Sequence, residues 1–537
     1  MSKSLVFIPV LLLCAFVIFA RLGDYPLFNP DEALYAEPAR EMLVLGDYIT
    51  TYLNYVVRFT KPPLVIWAMA LFMKLFGVSE FAARFFGASC GLALIGVTYA
   101  FVLRYLGLFA AVLASFSLVL APLYLGTARE AITDMPLSLF MAWAQFLFFR
   151  AMQDQNKTSK AAYLAWILLG LAVMTKGPVG LVVPGAIVGI YILLSGNILE
   201  KIKRLRLVAG LFIVALIALP WFATEIYVTK GAYFNEFIMR ENVERFTANV
   251  DAHKQPVWYH LLAMLIGFLP FSVYVPVLLK DGLGALRARW KEQKFKFEEL
   301  DERALLRLYC AIWVVFTLAF YSISVSKLLP YTLPAFPALA LLTADCLDRH
   351  IKNNKFATLA APLLLIVVSM AAVGIFAPKL ISLIRDCPPE LSPLITGFAG
   401  FAGFASFIAL ALLRFNRRQG AFLFFAVAMT LGLNYYMARV LPLVSARWEG
   451  GLPELSRFAG ASTLPILVYD MRKPGVPFYS LRKVENFNNH NLFLKRLNEL
   501  PKAYILARTR HRDLLLAAGL KEVRSQGSFS LFIWGQN

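Results

Sequence analysis

The chain has 537 residues, 59% of them hydrophobic, and a mean hydropathy of +0.65. Soluble domains hold about 45–50% apolar residues, so this composition excludes an ordinary soluble protein, and apolar runs of membrane-spanning length recur from end to end. A net charge of +20 would suit nucleic acid, but Lys and Arg crowd into short linkers between apolar runs, as cytoplasmic loops require, which leaves nucleic-acid binding the weaker reading.

The first apolar run, 5–20, has no clear small-x-small cleavage site and leads into Arg21-Leu22-Gly23-Asp24. It reads as an uncleaved first span. Further spans are expected at 81–103, 108–126, 134–151, 161–175, 178–195, 207–222, 257–279, 307–325, 330–346, 356–377, 393–414 and 419–440, about 13 crossings in all. The linkers 104–107, 152–160, 196–206, 280–306, 347–355 and 415–418 carry the basic residues and mark the cytoplasmic face. The run 62–77 is short, opens on Lys61-Pro62-Pro63 and contains Lys74. It is expected to lie in the outer interface and not to cross. The opposite face then receives 21–80, 127–133, 223–256, 326–330, 378–392 and everything after 441. Beyond 441, β-rich runs at 464–469, 502–507 and 529–534 alternate with helical spacing at 491–500 and 512–520, the pattern of a small α/β domain. The expected fold class is an all-α polytopic membrane protein, with outer interfacial helices, a transmembrane domain over 1–440 and a C-terminal α/β domain over 441–537. The five cysteines (Cys14, Cys90, Cys310, Cys346, Cys387) have no metal-ligand spacing, and neither a disulfide nor a cysteine-based site is expected.

The outer segments hold the chemistry. Asn29-Pro30-Asp31-Glu32-Ala33-Leu34-Tyr35 puts two carboxylates just past the first span. Asp31 can cap the helix that follows, or serve as a general base, and a cap is also a rigid mount. Arg129-Glu130-Ala131-Ile132-Thr133-Asp134-Met135-Pro136 joins two spans. A cap and a local Arg–Glu pair would explain it, but Asp134 at the mouth of an apolar helix is costly unless paired or solvated, which favours function. Arg58-Phe59-Thr60-Lys61-Pro62-Pro63 and Thr175-Lys176-Gly177-Pro178 each set a lysine near Pro at the outer interface. Either lysine can snorkel, or hold a lipid-linked phosphate. The loop from Glu236 through Arg245 and Phe246 to His253 and His260 mixes charge with aromatic rings, as a saccharide-binding surface or a solvated amphipathic helix would. Ser324-Val325-Ser326-Lys327-Leu328-Leu329-Pro330-Tyr331 can bring Lys327 and Tyr331 to one cavity, or anchor a helix at the interface.

In this order the motifs resemble the polytopic GT-C glycosyltransferases: the protein O-mannosyltransferase-like family and, closest, the bacterial aminoarabinose (lipid A) transferases. The likeness covers nearly the whole chain. It implies an inverting glycosyltransferase that takes a sugar from a polyprenyl-phosphate donor, such as an undecaprenyl-phosphate glycoside. The acceptor would be lipid A, another glycolipid, a polysaccharide or a protein at the periplasmic face of the inner membrane. Asp31 then matches the catalytic acid and Asp134 a second required carboxylate. Glu32, Tyr35, Arg58, Lys61, Arg129, Lys176, Arg245, Lys327 and Tyr331 are expected to bind substrate. Two positions depart from the aminoarabinose pattern: Leu34 stands where those enzymes carry Arg, and Thr60 where they carry a zinc-holding Glu. The sugar and acceptor are therefore open and no metal is assigned, with His253 the one candidate ligand. A lipid or saccharide flippase would want charges deep within spans and repeat symmetry. A non-catalytic assembly protein would leave Asp31 and Asp134 unexplained.

Overall fold

The computed structural model describes residues 3–59, 61–154, 160–244, 255–292, 297, 300–383, 387–471 and 473–535. Among these, seven helices are long and apolar enough to cross a membrane: Glu80–Tyr105, Asp134–Gln153, Ile198–Val228, Glu302–Ile323, Phe356–Leu383, Leu391–Arg414 and Arg418–Glu449. Two bent pairs raise the number to nine. Leu108–Leu120 turns by 70° into Pro122–Ala128, and Tyr259–Gly267 by 111° into Phe271–Lys291. A proline sits at each break, Pro122 in one and Pro270 in the other, where it removes a backbone donor and turns the preceding residue out of the helix. The protein is a multi-pass membrane protein.

The spans divide into a centre and a periphery. The apolar window of Asp134–Gln153 is 83% buried within the protein, whereas that of Phe356–Leu383 is only 22% buried. The first is walled by other helices; the second turns its Leu and Val side chains outward, where lipid is as good a solvent as protein. Close packing near the centre relies on small residues. Gly210, on the helix Leu207–Val228, faces Trp166, whose ring atoms lie 2.1 Å from where a Cβ would stand. Trp166 cannot easily retreat, because its indole N–H donates to the Leu205 carbonyl at 2.8 Å. Gly210→Ala is expected to lower the stability of the detergent-solubilised protein by about 1–3 kcal/mol, the usual cost of overpacking. Thermal unfolding with an unchanged midpoint would show that the two helices part freely.

The segment between the first span and Glu80 forms an outer frame. Two short helices, Ala33–Leu45 and Leu64–Phe76, pack together around Ala36, Ala39, Met42, Val65, Ile66 and Met69. The hairpin β1 (Tyr52–Leu53) and β2 (Val56–Val57) lies between them. The 62–77 run is thus a 13-residue helix, shorter than the roughly 20 residues a crossing needs. A charge locks the frame to the bundle. Arg84, fully buried on Glu80–Tyr105, meets Glu32 through two N–H···O bonds of 2.7 Å and donates to the carbonyls of Leu22, Tyr25 and Pro26. Glu32 in turn accepts from the backbone N–H of Phe28 and Ala131. Every strong partner of this buried pair is satisfied, the condition under which such a pair is tolerated.

The C-terminal stretch carries a five-stranded sheet ordered β4-β3-β5-β7-β6. β3 (Ile466–Tyr469) runs parallel to β4 (Glu485–Phe487) and β5 (Ala503–Arg508), while β7 (Phe529–Trp534) runs antiparallel to both β5 and β6 (Lys521–Gln526). The three interior strands lie where the apolar runs predict them. β4 and β6 escape the sequence pattern because they are the edges, where polar residues are tolerated. The sheet is tied to the outer frame. Asn29 hydrogen-bonds Glu449 and receives the Gly475 N–H, Lys473 pairs with Glu449 at 2.8 Å, and Asn54 exchanges two bonds with the Val484 backbone. The Leu27 N–H donates to the Tyr479 hydroxyl.

Candidate active site

Three short outer segments and two helix ends converge on one charged cluster. Asp134 is the first residue of the helix Asp134–Gln153, where the positive end of the helix dipole favours a carboxylate. Its Oδ1 lies 2.6 Å from Lys176 Nζ. Lys176 ends the helix Lys160–Lys176, and the chain reverses at once through Gly177, at φ +83°. That left-handed conformation suits glycine and closes the helix, with the Gly177 N–H returning to the Val173 carbonyl at 2.8 Å. The ammonium stands 4.9 Å above the Tyr331 ring. Tyr331 packs against Tyr321 at 5.1 Å and nearly parallel to the His260 imidazole at 6.0 Å.

Carboxylates close another side. Glu130, in the link before Asp134, has its pKa pushed up to about 8, first by burial and then by the charges of Glu32, Asp31 and Asp134. This interaction puts Asp31 beside the same cluster. Asp31 is exposed to solvent two residues ahead of the helix Ala33–Leu45. Tyr35, one turn into that helix, lies within electrostatic reach of Arg58, Lys176 and Asp134. Arg58 donates to the Leu34 carbonyl and sits 5.9 Å over the Tyr35 ring, and burial lowers its guanidinium from the ordinary value. Lys61 pairs with Glu241 at 2.8 Å, and Glu241 also acts on Arg58. Asp31, Tyr35, Arg58, Asp134, Lys176 and Tyr331 therefore share one neighbourhood, with Lys61 joined to it through Glu241.

Three expected substrate-binding residues have their charged groups taken up inside the protein. Glu32 is 1% exposed, with its carboxylate occupied by Arg84 and backbone N–H groups. It fastens the Asp31 turn and leaves no face for a ligand. Arg129 is likewise buried, and its Nη1 donates to the carbonyls of Val17, Ile18 and Ala20. It caps the end of the first helix, so the local Arg–Glu pair is replaced by this cap. Lys327 is buried and turned back onto the Ser324 carbonyl, and burial lowers its pKa. Arg245 and His253 lie outside the described residues, as does Thr60. Thr60 offers a hydroxyl where the resembling family carries a carboxylate, a poor ligand for the family's zinc.

Arg84 and Tyr321 are not singled out by the sequence, and Glu241 and His260 enter only as part of the charged, aromatic outer loop. Arg84 had a signal, since a lone arginine inside an apolar run of 81–103 must find a buried partner. Glu241 sits in a polar helix, Phe234–Glu244, that reads as a solvated surface.

Comparison with known proteins finds relatives by sequence and by fold. Residues 60–223 match the family model of dolichyl-phosphate-mannose-protein mannosyltransferases. An uncharacterized protein of Aquifex aeolicus is 30% identical over 388 residues, 71% of either chain. An undecaprenyl phosphate-alpha-4-amino-4-deoxy-L-arabinose arabinosyl transferase of Pectobacterium carotovorum is 32% identical over 69% of this chain and 66% of its own length. That of Aeromonas hydrophila is 30% identical over 63% and 59%. The chain thus spans a little under two thirds of these curated transferases. ArnT of Cupriavidus metallidurans, solved bound to undecaprenyl phosphate, superposes with a TM-score of 0.82 over 99% of this chain and 98% of its own, at 24% identity. The two share a fold.

Proposed function

The chain belongs to the GT-C glycosyltransferase superfamily that includes the aminoarabinose transferases, and from that premise we propose that it is an inverting glycosyltransferase moving a sugar from a polyprenyl-phosphate donor to an envelope acceptor. The supporting observation is the convergence of Asp31, Glu130 and Asp134 with Lys176, Arg58 and Tyr331 from distant parts of the chain. In this reading the donor is an undecaprenyl-phosphate glycoside, and the acceptor is lipid A or another lipid, saccharide or protein. Adding the shorter helices Lys3–Phe19, Lys160–Lys176, Val179–Ser195 and Phe336–Lys352 to the nine gives about 13 crossings. With the basic linkers held in the cytoplasm, the site faces the periplasm of a bacterial inner membrane. The chain is then divided into a transmembrane part, 1–440, and a periplasmic α/β part, 441–537.

The donor's phosphate is placed beside Lys176, Arg58 and Lys61. The anomeric C–O bond breaks with its electron pair leaving on the phosphate, and fixed cations stabilise the charge that gathers there. Each lysine already holds a carboxylate, Lys176 that of Asp134 and Lys61 that of Glu241, so these cations are positioned before the donor arrives. The acceptor oxygen attacks the opposite face of the anomeric carbon. A hydroxyl acceptor yields its proton to Asp31. A phosphate acceptor is already ionised, and Asp31 then orients it or stabilises positive character on the ring. The test is reconstitution. Purified protein in liposomes with a polyprenyl-phosphate sugar and envelope lipids is expected to yield a glycosylated product by mass spectrometry. Donor flipping without transfer would overturn the proposal.

Glu130 sets a pH dependence. It is neutral below about 8 in the folded chain, against 4.5 for an ordinary glutamate. Below pH 4.5 it is protonated in both folded and unfolded chains and contributes nothing. Between those values the unfolded chain ionises first, so stability falls as pH rises, and the full penalty applies above 8. Ionisation also adds negative charge where an anionic donor must bind. Transfer is therefore expected to decline with an apparent pKa near 8, and Glu130→Gln protein should lose that limb from its pH–rate profile. An unchanged limb would assign it to another group.

A further inference from the structure

A second polar cluster lies at the other end of the bundle. The helix Phe336–Lys352 starts just after Tyr331, and Cys346 and His350 sit near its far end, about 15–20 Å along its axis. They are four residues apart and share one face. Asp281, on the helix Val275–Lys291, meets that face. Its Oδ2 lies 2.9 Å from His350 Nε2 and 3.9 Å from Cys346 Sγ, and the three ligand-type atoms fall within 4.8 Å of one another. Cys346 and His350 are almost wholly buried.

The hydrogen bonds around His350 decide what belongs between these groups. The Thr358 hydroxyl donates its one proton to the Lys355 carbonyl at 2.9 Å, so toward His350 Nδ1, 2.6 Å away, its oxygen accepts. Nδ1 therefore carries the ring proton. Nε2 faces a carboxylate oxygen 2.9 Å away. Either a ring proton or a metal ion can join these two atoms. A buried thiol beside both favours the metal, because thiolate, imidazole and carboxylate together are a donor set for a borderline-soft divalent ion. A hydrogen bond that fixes the distal ring nitrogen, here from His350 to the Thr358 hydroxyl, orients a ligating histidine. Tetrahedral bonds of about 2.0–2.3 Å put ligand atoms about 3.5 Å apart, which lies between the 2.9 and 3.9 Å separations from Asp281 Oδ2. Arg349 also donates to Asp281 Oδ2, at 3.2 Å, while its Nε is held by Asp345 at 2.9 Å. His350, Cys346 and Arg349 all meet Oδ2, so a metal takes the place of the His350 and Cys346 contacts there while Arg349 keeps its own bond.

We propose that Asp281, Cys346 and His350 form a three-ligand zinc-class site, with water at the fourth position, that joins the helices Val275–Lys291 and Phe336–Lys352. The expectation that no cysteine is a ligand came from cysteine-to-cysteine spacing, which cannot see a Cys–His pair completed by an aspartate 65 residues earlier. The site is independent of the transfer reaction proposed above.

The test uses the full-length protein, purified in detergent without a polyhistidine tag, stripped with chelator and titrated with Co2+ alone. About one Co2+ per chain is expected, with a thiolate-to-cobalt charge-transfer band that Zn2+ abolishes. Cys346→Ser is expected to lose the band, and His350→Gln to weaken Co2+ binding tenfold or more. Zn2+ should raise the wild-type unfolding midpoint. Wild-type protein without a thiolate–cobalt band, or Cys346→Ser protein that keeps it, overturns the proposal. The first outcome means that His350 and Asp281 share a proton instead.

Discussion

Asp31→Asn protein is expected to transfer sugar to a hydroxyl acceptor about 100-fold or more slowly than wild type, with donor affinity changed little. General-base catalysis contributes about 10²–10⁴-fold, and the amide cannot take the proton. The substitution keeps the side chain's shape at an exposed position, so the unfolding midpoint should stay where it is. That separates a chemical loss from a folding loss. Single-turnover rates from a polyprenyl-phosphate sugar, measured alongside donor binding, read the two terms apart. A loss below about tenfold would leave Asp31 as a mount, since that is too small for a proton acceptor. A fall in donor affinity alone would place it with the binding groups.

Arg84→Met is expected to be the most destabilising single change near the site. It removes the two bonds to Glu32 and those to three backbone carbonyls, and strands a carboxylate that is 1% exposed. Breaking one partner from a buried pair costs about 3–5 kcal/mol. The double variant Arg84→Met, Glu32→Gln should recover much of this, because no charge is then left unpaired. Thermal unfolding of the four proteins in one detergent closes the cycle. If Arg84→Met unfolds with wild type, the outer frame is held by apolar packing, and the lock described above contributes nothing. Activity should fall with stability, since Glu32 directly follows Asp31 in the chain.

The candidates that the structure brings into one neighbourhood share a feature. Asp31, Asp134, Lys176 and Tyr331 each stand at an apolar boundary within two residues of Pro or Gly, where a charged or phenolic side chain is hard to explain by packing alone. What sequence could not give is the direction in which a side chain turns. Glu32 and Arg129 come from the same motifs as Asp31 and Asp134, yet both turn inward to backbone groups and an ion pair. Helix ends behave likewise. Hydropathy marks a span at 419–440, but the helix runs on through Glu449, because its last turns carry Arg439, Arg447 and Glu449 and leave the apolar pattern without leaving the helix. Arg84 is a charge within an apolar run and so requires a buried partner, but its spacing from Glu32 in the chain gives no sign of the pairing that the fold makes.

The knot of Asn29, Glu449, Lys473 and Gly475 joins residues some 420 positions apart. Asn29 is translated more than 400 residues before the groups that grip it. The acid-bearing turn thus waits for these restraints until long after the neighbouring spans have been made. A nascent chain halted before that knot would be threaded through the bilayer with this turn still loose, so the later-synthesised sheet acts as a seal on it.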